Sequence, residues 1–129
     1  MLVADYVAEI RHRILDTPHV VSHSLGYEDR PPIGAIVNGT IMFSDGSRLY
    51  VKEFLQLRPN PIRLKYAYHC ASPTQSLIFR YDNARDPAAR PLSTYPDHRH
   101  TPDGLLPSSG PDLASVLREA AGYIRRDQQ

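Results

Sequence analysis

The chain has 129 residues, 41% of them hydrophobic and 22% charged, with 15 basic against 14 acidic side chains. That length supports one hydrophobic core and leaves no room for separate catalytic and substrate domains, so residues 1–129 are read as a single domain. A formal net charge of +1 excludes a globally basic nucleic-acid coat, and no apolar run approaches the roughly 18 residues that a membrane-spanning helix needs. The one cysteine, Cys70, cannot close an internal disulfide. The first residues lack the basic start and apolar run of a signal peptide, so a cytoplasmic protein is expected.

Val3, Tyr6, Val7, Ile10 and Ile14 recur at steps of three and four, which predicts an amphipathic helix over residues 1–15. Pro18 and the polar stretch 22–32, with Gly26 and the Pro31-Pro32 pair, read as a linker. Residues 1–32 are therefore read as a helix with its linker.

From Ile33 the apolar period becomes two, and residues 33–82 read as a four-stranded antiparallel meander. Asp45-Gly46 marks a hairpin, because a type I′ turn needs positive φ at both central residues. A two-residue turn there pairs Thr40 with Val51 and Met42 with Leu49, and so places Met42, Leu49, Val51, Glu53 and Leu55 on one face. Glu53 is then a carboxylate in an apolar row, which must reach solvent or find a partner. In the second hairpin, a four-residue loop at 72–75 gathers Tyr66, Tyr68, Cys70, Leu77, Phe79 and Tyr81 on one face. Arg63, Lys65, His69, Arg80 and Asp82 fall on the other. That second set suits phosphodiester binding and proton donation, and it is also what a water-covered sheet face carries.

Residues 83–111 hold six of the twelve prolines and little periodicity, so 83–110 reads as a long functional loop. It crowds Asp97, His98, Arg99 and His100 together. Two imidazoles one residue apart suit proton transfer, phosphate contact or, as neutral ligands, a transition metal. Residues 111–126 read as a C-terminal helix, with Pro111 at its first position and a stripe of Leu113, Val116, Leu117, Ala120 and Ile124. The expected architecture is α+β, with an N-terminal and a C-terminal helix packed on the four-stranded sheet. Charge divides unevenly along it: residues 1–46 carry three basic and six acidic groups, 47–100 nine and four, and 101–129 three and four. The middle segment is basic enough to receive a phosphate-rich ligand.

Arg80-Tyr81-Asp82-Asn83, followed after a proline-rich gap by Pro96-Asp97-His98-Arg99-His100, resembles the TumE family, toxins of type II toxin–antitoxin pairs. Glu53, the stretch Tyr66-Ala67-Tyr68-His69, Phe79 and the C-terminal helix extend the likeness over residues 40–124. The amino-terminal helix and linker read as additional to the family or variable within it, and residues 84–91 depart from it in lacking histidine and in their longer span. The resemblance implies a toxin held inactive by a cognate antitoxin protein and does not itself reveal the target.

Similar small toxins often cleave RNA on comparable folds, and by that analogy the leading expectation is a metal-independent ribonuclease that needs no cofactor. His98, His100, Arg80, Asp82, Tyr81 and Glu53 are its candidate catalytic residues. The histidines serve as base and acid, Arg80 and Arg99 meet the developing phosphorane charge, Asp82 orients a histidine or Arg80, and Tyr81 or Tyr68 contacts a base or donates a proton. Arg99, Lys65, His69, Tyr68 and Asn83 are the candidate substrate-binding residues. One alternative is a metal-dependent nuclease or hydrolase in which Asp82, His98 and His100 hold a divalent ion. Another is a non-catalytic binding toxin, and a structural reading makes Arg80, Asp82 and Glu53 an ion-pair network at the sheet's end. A homodimer is compatible with each.

Overall fold

A computed structural model describes residues 2–32 and 34–127; Met1, Ile33, Gln128 and Gln129 lie outside the described residues, and with Ile33 the point where alternation was expected to begin. Helix α1 (Val3–Leu15) is followed by β1 (Val20–Arg30), β2 (Gly34–Phe43), β3 (Arg48–Gln56), β4 (Ile62–Ala71) and β5 (Leu77–Asp82). A 3₁₀ turn (Pro87–Ala89), β6 (His98–Thr101), β7 (Gly104–Pro107) and helix α2 (Leu113–Asp127) complete the chain. The strands form one antiparallel sheet in chain order. The α+β class and the two terminal helices are as expected, but among the described residues the sheet has seven strands rather than four.

The three additional strands lack a readable period for physical reasons. Strand β1 is an edge, paired only with β2 and exposed at most positions, so no buried face imposes alternation on it. Strands β6 and β7 have four residues each, too few to display a period. The segment 83–110 is therefore a turn and a short hairpin, and the histidines stand on a strand.

The first hairpin differs by one residue from the expected register. Gly46 N–H donates to Phe43 O at 2.9 Å and Phe43 N–H to Ser47 O at 2.9 Å, with φ of +89° at Gly46 but no positive φ at Asp45. This is a three-residue loop with a bulge glycine. The Asp45 carboxylate holds it, accepting from the Ser47 amide at 2.8 Å and hydroxyl at 2.6 Å. Thr40 consequently pairs with Tyr50 and Ile41 with Leu49, so Ile41 replaces Met42 in the core row.

Both helices pack on one sheet face. Val3, Val7, Ile10 and Ile14 of α1 and Leu113, Val116, Leu117, Ala120 and Ile124 of α2 join Phe43, Leu49, Tyr68 and Phe79 in one buried cluster. Each fully buried aliphatic or aromatic side chain there contributes about 1.5–3 kcal/mol. Cys70 is free and buried among them, and burial raises its thiol to about 12, so it packs as an apolar group. Pro111 stands two residues before α2; Asp112 caps the helix, its carboxylate accepting from Ser115 N–H at 2.9 Å.

Glu53 has found a partner instead of solvent. It is 1% exposed and accepts from the Tyr6 hydroxyl at 2.6 Å and from the Tyr68 hydroxyl. Arg63 joins this helix-side cluster, contrary to expectation, because Leu55 pairs with Arg63 and Phe54 with Lys65, leaving Leu64 as an extra bulged residue. Its guanidinium donates to Tyr68 Oη at 3.0 Å, Pro111 O at 2.7 Å and Gly110 O at 2.9 Å. Gly110 has φ of +75°, and a Cβ there would lie 2.9 Å from Asp97 Oδ1, which accepts from Tyr66 Oη. Gly110→Ala is expected to cost about 1–2 kcal/mol in the left-handed region alone, read as a lower denaturation midpoint at unchanged m. An unchanged midpoint would contradict it.

Candidate active site

Strand register builds the site on the face that the helices leave open. One cross-strand row is Tyr50, His69, Arg80 and His100, on β3, β4, β5 and β6. The next is Lys52, Ala67, Asp82 and His98 on the same strands. Residues two apart on a strand share a face, so these rows lie side by side. A third, shorter row pairs Phe54 with Lys65.

Asp82 is the anchor. Its side chain is 6% exposed, and one carboxylate accepts from Arg80 Nε at 2.9 Å and Ala84 N–H at 3.0 Å. The same carboxylate lies 2.9 Å from His98 Nε2 and 3.4 Å from His100 Nε2. Burial pushes the Asp82 carboxyl up, but the Ala84 amide, Arg80 and His98 outweigh it and hold it below the usual carboxylate range. His98 is 1% exposed, and its Nδ1 donates to Pro96 O at 2.7 Å, which fixes the ring. The His100 side chain is 30% exposed and meets His98 edge-on at 4.8 Å between centroids. On the far side of Arg80, Nη1 lies 3.5 Å from His69 Nδ1. Because guanidinium only donates, that nitrogen is the unprotonated one. Burial, then the charges of Arg80 and His100, hold the His69 imidazole below the ordinary histidine range.

A groove of about 700 Å³ runs from this cluster along the sheet, lined by Lys52, Lys65, Arg80 and Arg85 and, at its other end, by Ile36, Phe54 and Leu64. Four cationic groups thus face one cavity with the Asp82 carboxylate.

The candidate residues divide between the two faces. His69, Arg80, Asp82, His98, His100 and Lys65 come together on the open face. Tyr81, Arg99, Tyr68 and Glu53 lie on the helix side: Tyr81 Oη donates to Glu119 Oε1 at 2.6 Å and Arg99 Nη2 to Glu119 Oε2 at 2.6 Å. Asn83 is engaged by the β4 backbone, its Oδ1 accepting from Tyr66 N–H at 3.1 Å and its Nδ2 donating to Leu64 O at 3.0 Å. Sequence reasoning passed over Lys52, Phe54 and Arg85. Lys52 was findable, since it alternates with Glu53 and faces away from the apolar row.

Asp82, His98 and His100 offer ligand atoms within 4.8 Å of one another, a set whose chemistry suits a divalent transition metal. The Arg80 guanidinium, 2.9 Å from Asp82 Oδ2, already brings positive charge to the position such an ion would share.

Fold and site together define a small α+β protein with a cationic groove beside a histidine cluster on its open sheet face, and none of its described helices is long and apolar enough to cross a membrane. The chain belongs to the TumE toxin family, whose model, described as Toxin TumE, matches residues 10–128. The match begins inside α1 and includes β1, so the part from residue 10 onward of the segment read as additional or variable falls within it. No curated protein and no solved structure matches the chain.

Proposed function

We propose that this TumE-family toxin is a metal-independent ribonuclease that uses the 2′-hydroxyl of RNA as the nucleophile. The observation that carries the reading is the row His69, Arg80, His100: a neutral imidazole, a guanidinium and an imidazole facing a carboxylate, side by side on an open face. Two imidazoles flanking a guanidinium supply a base and an acid on either side of a bound phosphate. His69 Nδ1 takes the 2′-hydroxyl proton, the 2′-oxygen forms a bond to phosphorus, and the bond from phosphorus to the 5′-oxygen breaks. His100 gives its proton to the departing oxygen, leaving a 2′,3′-cyclic phosphate and a 5′-hydroxyl. Arg80 swings its outer nitrogens to the phosphoryl oxygens and, with Lys52 and Lys65, meets the charge that develops there. His98 and Asp82 are positioning residues, since His98 is buried and Asp82 is saturated with donors.

In this reading the toxin acts in the cytoplasm of the cell that makes it, and a cognate antitoxin protein keeps RNA from the groove. The expected result is that purified chain cleaves an RNA oligonucleotide to cyclic-phosphate products, with or without EDTA, and leaves the all-2′-deoxy version intact. Uncut RNA would overturn the reading. Cleavage lost in EDTA and restored by one divalent ion would transfer it to the metal-dependent alternative, which the ligand cluster of Asp82, His98 and His100 favours.

A further inference from the structure

The groove has two chemically different ends, and the ribonuclease reading uses only one. Arg80 and Asp82 line the polar end, and His69 and His100 flank Arg80 in its cross-strand row. About four residues further along β3, some 13 Å at the rise of a strand, Phe54 and Ile36 form an apolar wall together with Leu64. Leu64 is 44% exposed and lines the groove beside Phe54 and Ile36, so the three make a contiguous apolar patch there. The bulge in β4 puts Leu64 there, and Asn83 satisfies the bulge's backbone on both sides, accepting from Tyr66 N–H and donating to Leu64 O. Arg80 and Asp82 thus build the polar end while Asn83, three residues from Arg80, holds the apolar one. Between the ends, Ala67 stands between Lys52 and Asp82 in register, so a methyl group floors the passage and lysines flank it.

An aromatic and two aliphatic side chains beside lysines and an arginine match an unpaired nucleobase on its charged backbone. A paired base, stacked inside a duplex, offers no free face to Phe54. We propose that the Ile36, Phe54 and Leu64 end is a nucleobase subsite, so that the substrate is single-stranded RNA held with one base against Phe54 and a phosphate toward Arg80. This deepens the ribonuclease reading and rests on it for the identity of the ligand.

The test separates the two. Binding is measured by fluorescence anisotropy with a labelled single-stranded 2′-deoxy oligonucleotide, which cannot be cleaved, with its duplex, and with copies carrying one abasic site stepped along the strand. The wild-type chain is expected to prefer the single strand at least tenfold and to lose affinity at one abasic position. Phe54→Leu, which keeps apolar bulk, is expected to weaken single-strand binding about 5- to 150-fold, the range of one base stacked on one aromatic ring. Phe54→Tyr should retain it, and Leu64→Ser, at an exposed position, should weaken it with the fold intact. Equal affinity for duplex and single strand, or indifference to both Phe54→Leu and every abasic site, would overturn the subsite even if RNA is cleaved. Phe54-dependent binding without cleavage of RNA would leave the subsite standing and remove the ribonuclease chemistry.

Discussion

His100→Gln is expected to lower RNA cleavage by about 10²–10⁴-fold, the usual contribution of one positioned proton donor, while circular dichroism and the unfolding midpoint stay near the wild-type values. The side chain is 30% exposed, and its neighbours Asp82 and His98 lie on the open face rather than in the helix-packed core. His69→Gln should cost a similar factor, with a distinct pH signature. The His69 imidazole lies below the ordinary histidine range through burial and the nearby charges of Arg80 and His100, so the base remains neutral at neutral pH. Activity should then persist below the unperturbed histidine value of about 6.5 and fall only as pH drops through the lowered one. In His69→Gln that acid limb should vanish from the residual rate. A His100→Gln protein that cleaves at wild-type rate would remove the proposed acid. A binder that poisons stoichiometrically would tolerate both changes, since glutamine retains size and hydrogen bonding.

Much of this site was legible in the sequence because strand parity is a strict constraint. Once Tyr66, Tyr68, Cys70, Phe79 and Tyr81 are assigned to the core, Lys65, His69, Arg80 and Asp82 must face the other way, and they do. The errors come from features that parity cannot carry. A bulge at Leu64 turned Arg63 to the helix side, and a three-residue loop at 44–46 slipped β2 by one place. Neither changes composition. The placement of His98 and His100 illustrates the same point from the other direction: their spacing was visible, but that they continue the rows of Asp82 and Arg80 depends on β6 pairing with β5 across 15 intervening residues. Arg99 and Tyr81 read as phosphate and base contacts because arginine and tyrosine suit those tasks. Their pairing across β5 and β6 turns both toward Glu119, whose position on α2 no local pattern announces.

Asp82→Ala is expected to destabilise the protein by about 3–5 kcal/mol at pH 7, the cost of removing one partner from a buried charged pair. His98 would be left 1% exposed with Nε2 facing a void, and the Ala84 amide and Arg80 would each lose an acceptor. Arg80 is partly solvated, its side chain 38% exposed, so most of the penalty falls on His98. A loss of that size is a large share of a typical domain's total stability, and low activity in the variant therefore has to be judged on the folded fraction. Asp82→Asn retains an acceptor without the charge and should fall between alanine and wild type. The pH dependence fixes the cause. Because the folded-state carboxyl lies below its ordinary value, the unfolded chain binds the proton first as pH drops. The stabilising contribution is thus fully present above about pH 4 and is lost as pH falls through the lowered value. Denaturant titrations should accordingly show the gap between wild type and Asp82→Ala closing as pH falls below about 4. A gap under 1 kcal/mol at pH 7, or one that does not close in acid, would mean that the carboxylate does not hold the histidines in place, and the shared geometry of His98, His100 and Arg80 would need another anchor.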